Sequence, residues 1–460
     1  MRILLLNPPG DKLYLRDYYC SKVSKADTLY EPTDLLMLSG ILKGGHELKA
    51  VDAIAGRLGE TACLAEAASF RPDAVVFVTG AVSYQSDFAF LRRLKAETGA
   101  RMIGSGDLFL EGARELLEET DFLDAVLLDF TDDSILDLLQ GRPECRNIVA
   151  KQDGRVRAGP VARGRGEEFD IPAPEHSLFP LSAYRYPFLR GASFATVLTD
   201  YGCPHRCRFC VMPGLGHKLR RLDGVLAELA ALRRAGIREV YFNDQTFGAD
   251  RPRTRELLDR MVSEGLGLGW CCFTRADLVD EDGVRRMKRA GCHTLMFGAE
   301  SACPEILARQ EKGLGTQAVR EAIGLCRREG LTAVATFILG LPGETRRSAE
   351  ETVRFALSCG CDYASFNIAV PRMGTPLRQE AVAAGALPAA AAEMDQSGGR
   401  PPLRTDELSS EDIAGLRGEA VRRFYGRPGY LARQVLKVSG PHDLRRKVRG
   451  LLSILKDVRG

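Results

Sequence analysis

The sequence predicts an α/β protein of tandem parallel-sheet units: a Rossmann-like front domain, then a partial (β/α)6 barrel and a helical tail. Its 460 residues exceed what one core holds, so about two to three domains are expected. Short apolar runs alternate with helical stretches along most of the chain, as in parallel strands covered on both faces. The alternation stops over one stretch rich in Gly, Pro and Arg, and then resumes.

The front domain, residues 1–140, opens with RILLLN, a buried first strand ended by Asn7-Pro8-Pro9. DLLMLSGILKGG, ELKAVDA, a helix over 59–70, DAVVFVT, a helix over 85–98, RMIGSG, a helix over 111–119 and DAVLLD follow. Ligands of such sheets sit beyond the carboxyl ends of the strands, here Asn7 to Gly10, Thr79 to Ser83 and Gly104 to Asp107. Residues 141–192, with GRVRAGPVARGRGEEFDIPAPEHSLFP, read as a linker with little core of its own. The barrel, residues 193–385, repeats strand and helix through FATVLTD, EVYFND, LGWCCFT, HTLMFGAE, TAVATFILG and YASFNIAV, and its catalytic groups belong at the carboxyl ends of those strands. Residues 386–460 form a helical, basic C-terminal region whose last 30 residues hold eight Lys or Arg against two Asp. A packed helix with a solvated basic face and a peripheral membrane contact both suit that pattern.

Hydrophobic residues at 45% and charged residues at 27% describe an ordinary soluble protein, and a net charge of +3 gives no footprint for nucleic acid. MRILLLNPPG is too short and too weakly basic for a signal peptide, and no run of about 18 apolar residues occurs, so the expected location is cytoplasmic. The 13 scattered cysteines fit a reducing compartment.

Three of those cysteines, Cys203, Cys207 and Cys210, share the stretch YGCPHRCRFC. A structural zinc site takes four ligands, usually as two pairs well apart in sequence, so three in one loop fit it poorly. An iron–sulfur cluster takes thiolates from a tight loop, and with three of them one iron stays open to a non-protein ligand. The loop follows FATVLTD, at the carboxyl end of the first barrel strand. Cys271, Cys272, Cys292, Cys303, Cys326, Cys359 and Cys361 lack such spacing and read as small buried hydrophobes.

The C-x3-C-x2-C spacing, with Phe209 before the last cysteine, resembles the radical S-adenosylmethionine (SAM) superfamily. YFNDQTF, CFTRADLVD, FGAESACPEILARQEKG, FILGLPGET and VPRMGTPL follow in the order and spacing of its cobalamin-binding-domain branch, over about residues 193–380. The resemblance implies a 4Fe-4S cluster on Cys203, Cys207 and Cys210, with SAM on the open iron. One electron from a donor such as flavodoxin or ferredoxin then cleaves SAM to methionine and a 5′-deoxyadenosyl radical. Phe209 would shield the cluster or stack on a ligand, or simply pack the loop. Arg275 would pair with the cofactor's carboxylate, Glu300 and Ser301 would meet its ribose and methionine end, and Gly340 and Glu344 of GLPGE would lie by the adenine. Asp244 has a similar claim on substrate or cofactor.

The front domain resembles the branch's cobalamin-binding domain, with ILLLNPP as its usual opening, which implies cobalamin-dependent methylation of an unactivated carbon. Two departures leave cobalamin open: no D-x-H-x-x-G segment is present, and VLLDFTDDS, with Asp129, Asp132 and Asp133, replaces the glycine-rich stretch after the last strand. The alternatives are a cobalamin-independent radical cyclisation, oxidation or rearrangement, and a non-catalytic iron–sulfur electron-transfer or sensor protein. A methylthiolating nucleic-acid enzyme is disfavoured because Cys20, Cys63 and Cys145 are too dispersed for its second cluster. The expected partner is a small-molecule substrate, with a lipid or isoprenoid suggested only by the basic tail.

Overall fold

The computed structural model describes residues 1–436 except 26, 143–144, 192, 389–394 and 396–400. The basic tail beyond Leu436, on which the lipid and membrane-contact expectations rest, lies outside the described residues. Among the described residues no helix is long and apolar enough to cross a membrane.

Strand β1 (Arg2–Asn7) is buried at all but its first residue, which is why RILLLN runs apolar without alternation. A small hairpin, β2 (Tyr14–Leu15) and β3 (Lys22–Val23), follows before the chain returns to the sheet. Strands β4 (Glu47–Asp52), β5 (Ala74–Val78), β6 (Arg101–Ser105) and β7 (Ala125–Leu127) complete the parallel part, in the order β4-β1-β5-β6-β7. The order reverses between β1 and β5, so the switch-point crevice opens beyond their carboxyl ends.

The front sheet does not stop near residue 140. Strands β8 (Ile148–Gln152) and β9 (Arg155–Ala158) add an antiparallel hairpin at the edge of β7. The stretch expected to be linker therefore starts inside the sheet, with Ile148, Val149 and Ala150 buried in its cores. Asp153 and Gly154, at φ 52 and φ 72, make the tight turn.

Strand β10 (Arg165–Phe169) precedes the barrel strand β11 (Ala195–Val197). β12 (Asp200–Gly202) and β13 (His217–Arg220) bracket the cysteine loop and join β10 in a three-stranded sheet. β11 then pairs with β14 (Glu239–Phe242), and β15 (Gly269–Thr274), β16 (Cys292–Glu300), β17 (Thr332–Leu339) and β18 (Tyr363–Ile368) follow, all parallel and in chain order. The sheet ends at β11 and β18 without closing, which is the expected partial barrel.

Alternation along these strands divides their side chains between two cores. Val240, Phe242, Trp270, Leu295 and Phe297 pack towards the helices. Tyr241, Cys271, Met296 and Val334 join a core that continues through Tyr30 and Tyr186 into the front domain, with Tyr186 stacked on Tyr241 at 4.4 Å. The helix Ser410–Tyr425, capped by Ser409, covers β18 through Phe424 and Phe366.

Candidate functional site

The cysteine loop hangs from the carboxyl end of β11, and a buried carboxylate fixes its direction. Asp244, just beyond β14, accepts hydrogen bonds from the Thr199 N–H and hydroxyl, both at 2.6 Å, and from the Asp200 N–H at 3.2 Å. Burial, then the charge of Asp200, pushes its carboxyl well above the usual range. These bonds hold the turn that leads from β11 into the cysteine loop.

Within the loop, the Cys203 N–H donates to Gly216 O at 3.0 Å and the Cys210 N–H to Cys207 O at 3.1 Å. Cys203 Sγ lies 3.1 Å from Thr246 Oγ1 of the NDQTF stretch. Burial raises all three thiols, Cys210 to about 12. Cys203 and Cys207 each raise Cys210 further, and Cys203 raises Cys207, so the three sulfurs lie within electrostatic reach of one another. Among the described residues no three His, Cys, Asp or Glu side chains converge on a point, as a single metal ion would require. A four-iron cluster asks less, because each thiolate takes a different iron. Three neighbouring thiols on one loop, with the cation of Lys312 lowering Cys207 and Cys210, fit such a cluster.

Phe209 packs against Leu377 and Leu403 on one side and Ile306, Leu341 and Ala369 on the other. Arg275 is buried and doubly bonded to Asp277 at 3.0 and 2.8 Å, and it also donates to Lys312 O at 2.9 Å. Its fork clamps the turn carrying Lys312. Ser301 accepts from the Cys303 N–H at 3.1 Å and lies 3.3 Å from Thr352 Oγ1, which makes it a cap of the turn after β16.

Glu300 instead receives Lys312 Nζ at 2.8 Å. Gly340, at φ 83, lies under the helix Ser410–Tyr425, where a Cβ would stand 2.9 Å from Ile413 Cδ1, so the glycine makes room for that helix. The Gly340 N–H is bound by Glu344, whose carboxyl burial pushes up to about 7. Lys312, whose sequence signal is the turn EKG after a short helix, and Thr246 are not among the residues singled out in the sequence.

The front sheet presents a filled edge. Arg16 enters the switch-point crevice, donating to Asn7 Oδ1 at 2.8 Å, Pro8 O at 2.9 Å and both oxygens of Asp87 at 2.6 and 3.0 Å. Neither side chain of that pair has any exposure. Tyr18 stacks on Tyr201 at 5.1 Å and meets Phe130 edge-on at 4.9 Å. A Cβ on Gly80 would lie 2.2 Å from Ser21 Cβ, so this close approach is already taken by the chain itself. Asp129 is held by Lys218 and Asp132 by Asn147 at 2.7 Å. A small pocket lies between Tyr18, Ser105, Gly106, Phe109 and Tyr201. Residues 16–21 thus lie at this edge of the front sheet.

The Radical SAM superfamily matches residues 197–356, which span the cysteine loop and the strands through β17. A Pyrococcus horikoshii protein, named as an uncharacterized methyltransferase, is 30% identical over 99% of this chain and 98% of its own length. The chain belongs to the radical SAM superfamily. Among solved structures, the methyltransferase TsrM of Kitasatospora setae, with cobalamin and a [4Fe-4S] cluster bound, aligns over 100% of this chain and 99% of its own, with TM-score 0.72 and 19% identity. The cobalamin-dependent SAM radical enzyme OxsB, with aqua-cobalamin and SAM bound, covers 99% of this chain and 72% of its own, with TM-score 0.69 and 15% identity. At those identities the likeness establishes a shared fold. This radical SAM enzyme therefore carries a front sheet and a partial barrel as TsrM and OxsB do, and it is methyltransferase-like.

Proposed function

We propose that the enzyme binds a 4Fe-4S cluster through Cys203, Cys207 and Cys210, takes SAM at the iron left without a thiolate, and methylates an unactivated carbon of a small molecule with cobalamin as methyl carrier. The observation that carries the cluster is the trio of neighbouring thiols on a loop aimed by Asp244 from the carboxyl end of β11. Methyl transfer is supported by the full-length methyltransferase-named relative and by the cobalamin-bound structures of the same fold. When bound, these groups supply one-electron and methyl-transfer chemistry that side chains lack. The chain's own residues position and shield: Asp244 and Thr246 hold the start of the loop, and Phe209 with Leu341 closes its far side against water. The electron comes from a donor of the flavodoxin or ferredoxin class.

A second reading, radical cyclisation, oxidation or rearrangement without cobalamin, is favoured by one observation, the filled edge of the front sheet. Anaerobic reconstitution with hydroxocobalamin, desalting and metal analysis separates the two. About four irons with about one cobalt per chain supports cobalamin-dependent methylation, four irons without cobalt supports the second reading, and folded protein without iron contradicts both. SAM consumption distinguishes either from an electron-transfer or sensor protein.

A further inference from the structure

Glu300 and Lys312 meet through a local backbone arrangement that ordinary strand geometry would not produce. Glu300 sits at φ 62, in the left-handed region that residues with a Cβ disfavour. The register of β16 against β17 shifts between Gly298 and Glu300, and such bulges re-aim a side chain. A Cβ on Gly298 would lie 2.3 Å from Glu300 Oε1 and 3.0 Å from Lys312 Nζ, so glycine is what leaves room for the pair. Strain of this kind gathers at functional sites.

The turn bearing Lys312 is tied to the cysteine loop. Arg208, between Cys207 and Cys210, donates its N–H to Gln310 O at 3.1 Å and its guanidinium to Glu311 at 3.2 Å. Arg275 holds the Lys312 carbonyl from the other side. Lys312 and Glu300 are each 7% exposed. Lys312 Nζ is held against the Glu300 carboxylate at 2.8 Å in this buried setting.

We infer that Lys312, held in place by Glu300, sets the reduction potential of the cluster on Cys203, Cys207 and Cys210. The inference rests on the cluster proposed above. Reduction adds one negative charge to the cluster, and a nearby buried cation favours the reduced form, since net charge and burial are among the terms that set such potentials. Glu300 holds the cation in place and offsets part of its field. Lys312 is thus a positioning residue that acts on the cluster through space, while the electron itself comes from the external flavodoxin- or ferredoxin-class donor.

The test is a redox titration of the full chain, reconstituted anaerobically without SAM, with iron assayed first and the reduced cluster followed by electron paramagnetic resonance against dithionite and mediators. Lys312→Met is expected to lower the reduced-to-oxidised ratio at the wild-type midpoint about tenfold, equivalent to about 59 mV for one electron. Lys312→Arg keeps the charge and restores most of the shift. Glu300→Gln keeps an acceptor for Lys312 but removes the opposing charge, so its potential moves the other way. Unchanged potentials in Lys312→Met and Glu300→Gln at full iron content overturn the inference. If Lys312→Met loses its iron, the sign of the Glu300→Gln shift decides: a positive shift supports the inference, and a zero or negative one overturns it. Wild-type protein that takes up no iron contradicts the cluster itself, and the inference with it, at the first assay.

Discussion

At the carboxyl edge of the barrel, buried charges hold backbone. Asp244 takes the N–H groups of Thr199 and Asp200, Arg275 takes the carbonyl of Lys312, and the cysteine loop they brace keeps Cys203 and Cys210 half-buried. At the carboxyl edge of the front sheet, a buried charge fills the crevice instead. Arg16 closes the switch point onto Asp87, and Tyr18 and Ser21 cover what remains. Both edges belong to parallel sheets whose topology places ligands there, yet only the barrel edge leaves reactive groups near the surface. A likeness to TsrM along the whole chain therefore gives both units their fold, while each edge has to be judged on its own side chains.

The largest effect should come from the barrel edge: replacing Cys203, Cys207 and Cys210 together with Ala removes all cluster iron by colorimetric assay, while circular dichroism stays that of the wild type. Next, Arg16→Met leaves Asp87 buried without its partner and should cost about 3–5 kcal/mol in urea unfolding, with iron content unchanged. Equal loss of iron in Arg16→Met would break the separation between the two edges. Gly80→Ala drives a methyl group into Ser21, and overpacking of that kind costs about 1–3 kcal/mol; hydroxocobalamin uptake above the wild-type level in this variant would show that loosening residues 16–21 opens the edge.

The smallest effect near neutral pH concerns a contact shared by both units. His176 lies 2.8 Å from Glu31 and 2.9 Å from Glu228, and although burial opposes its charge the two carboxylates lift its pKa to about 10. The folded value exceeds the unfolded value of about 6.5, so the stabilisation is complete below about pH 6.5 and disappears as pH rises through 10. The urea midpoint should fall between pH 7 and pH 10, and His176→Gln should flatten that fall.

Local patterns made the strands legible. The six barrel strands lie where apolar runs end before turn residues, and RILLLN is buried from Ile3 to Asn7 because parallel sheets are covered on both faces. The hairpin β8–β9 was also written in the sequence, since Asp153-Gly154 between IVAKQ and RVRA is a strong turn signal. Its Gly, Pro and Arg-rich surroundings masked it. Side-chain partners were not legible, because they come from far along the chain: Arg275 meets Lys312, Gly340 meets Ile413, and Arg16 meets Asp87. The residue types marked these positions as candidates, but only the packing reveals that Arg275 clamps a turn and that Asp244 aims a loop.

The central claim is that three thiolates at the barrel edge hold a cluster with one iron open. The most direct measurement is the electron paramagnetic resonance spectrum of the dithionite-reduced, reconstituted enzyme before and after SAM is added. Binding of SAM at an open iron changes the g-values and line shape of the cluster signal, which is the result expected here. A spectrum that SAM leaves untouched, at full iron content, would mean a cluster with no open position and would contradict the account.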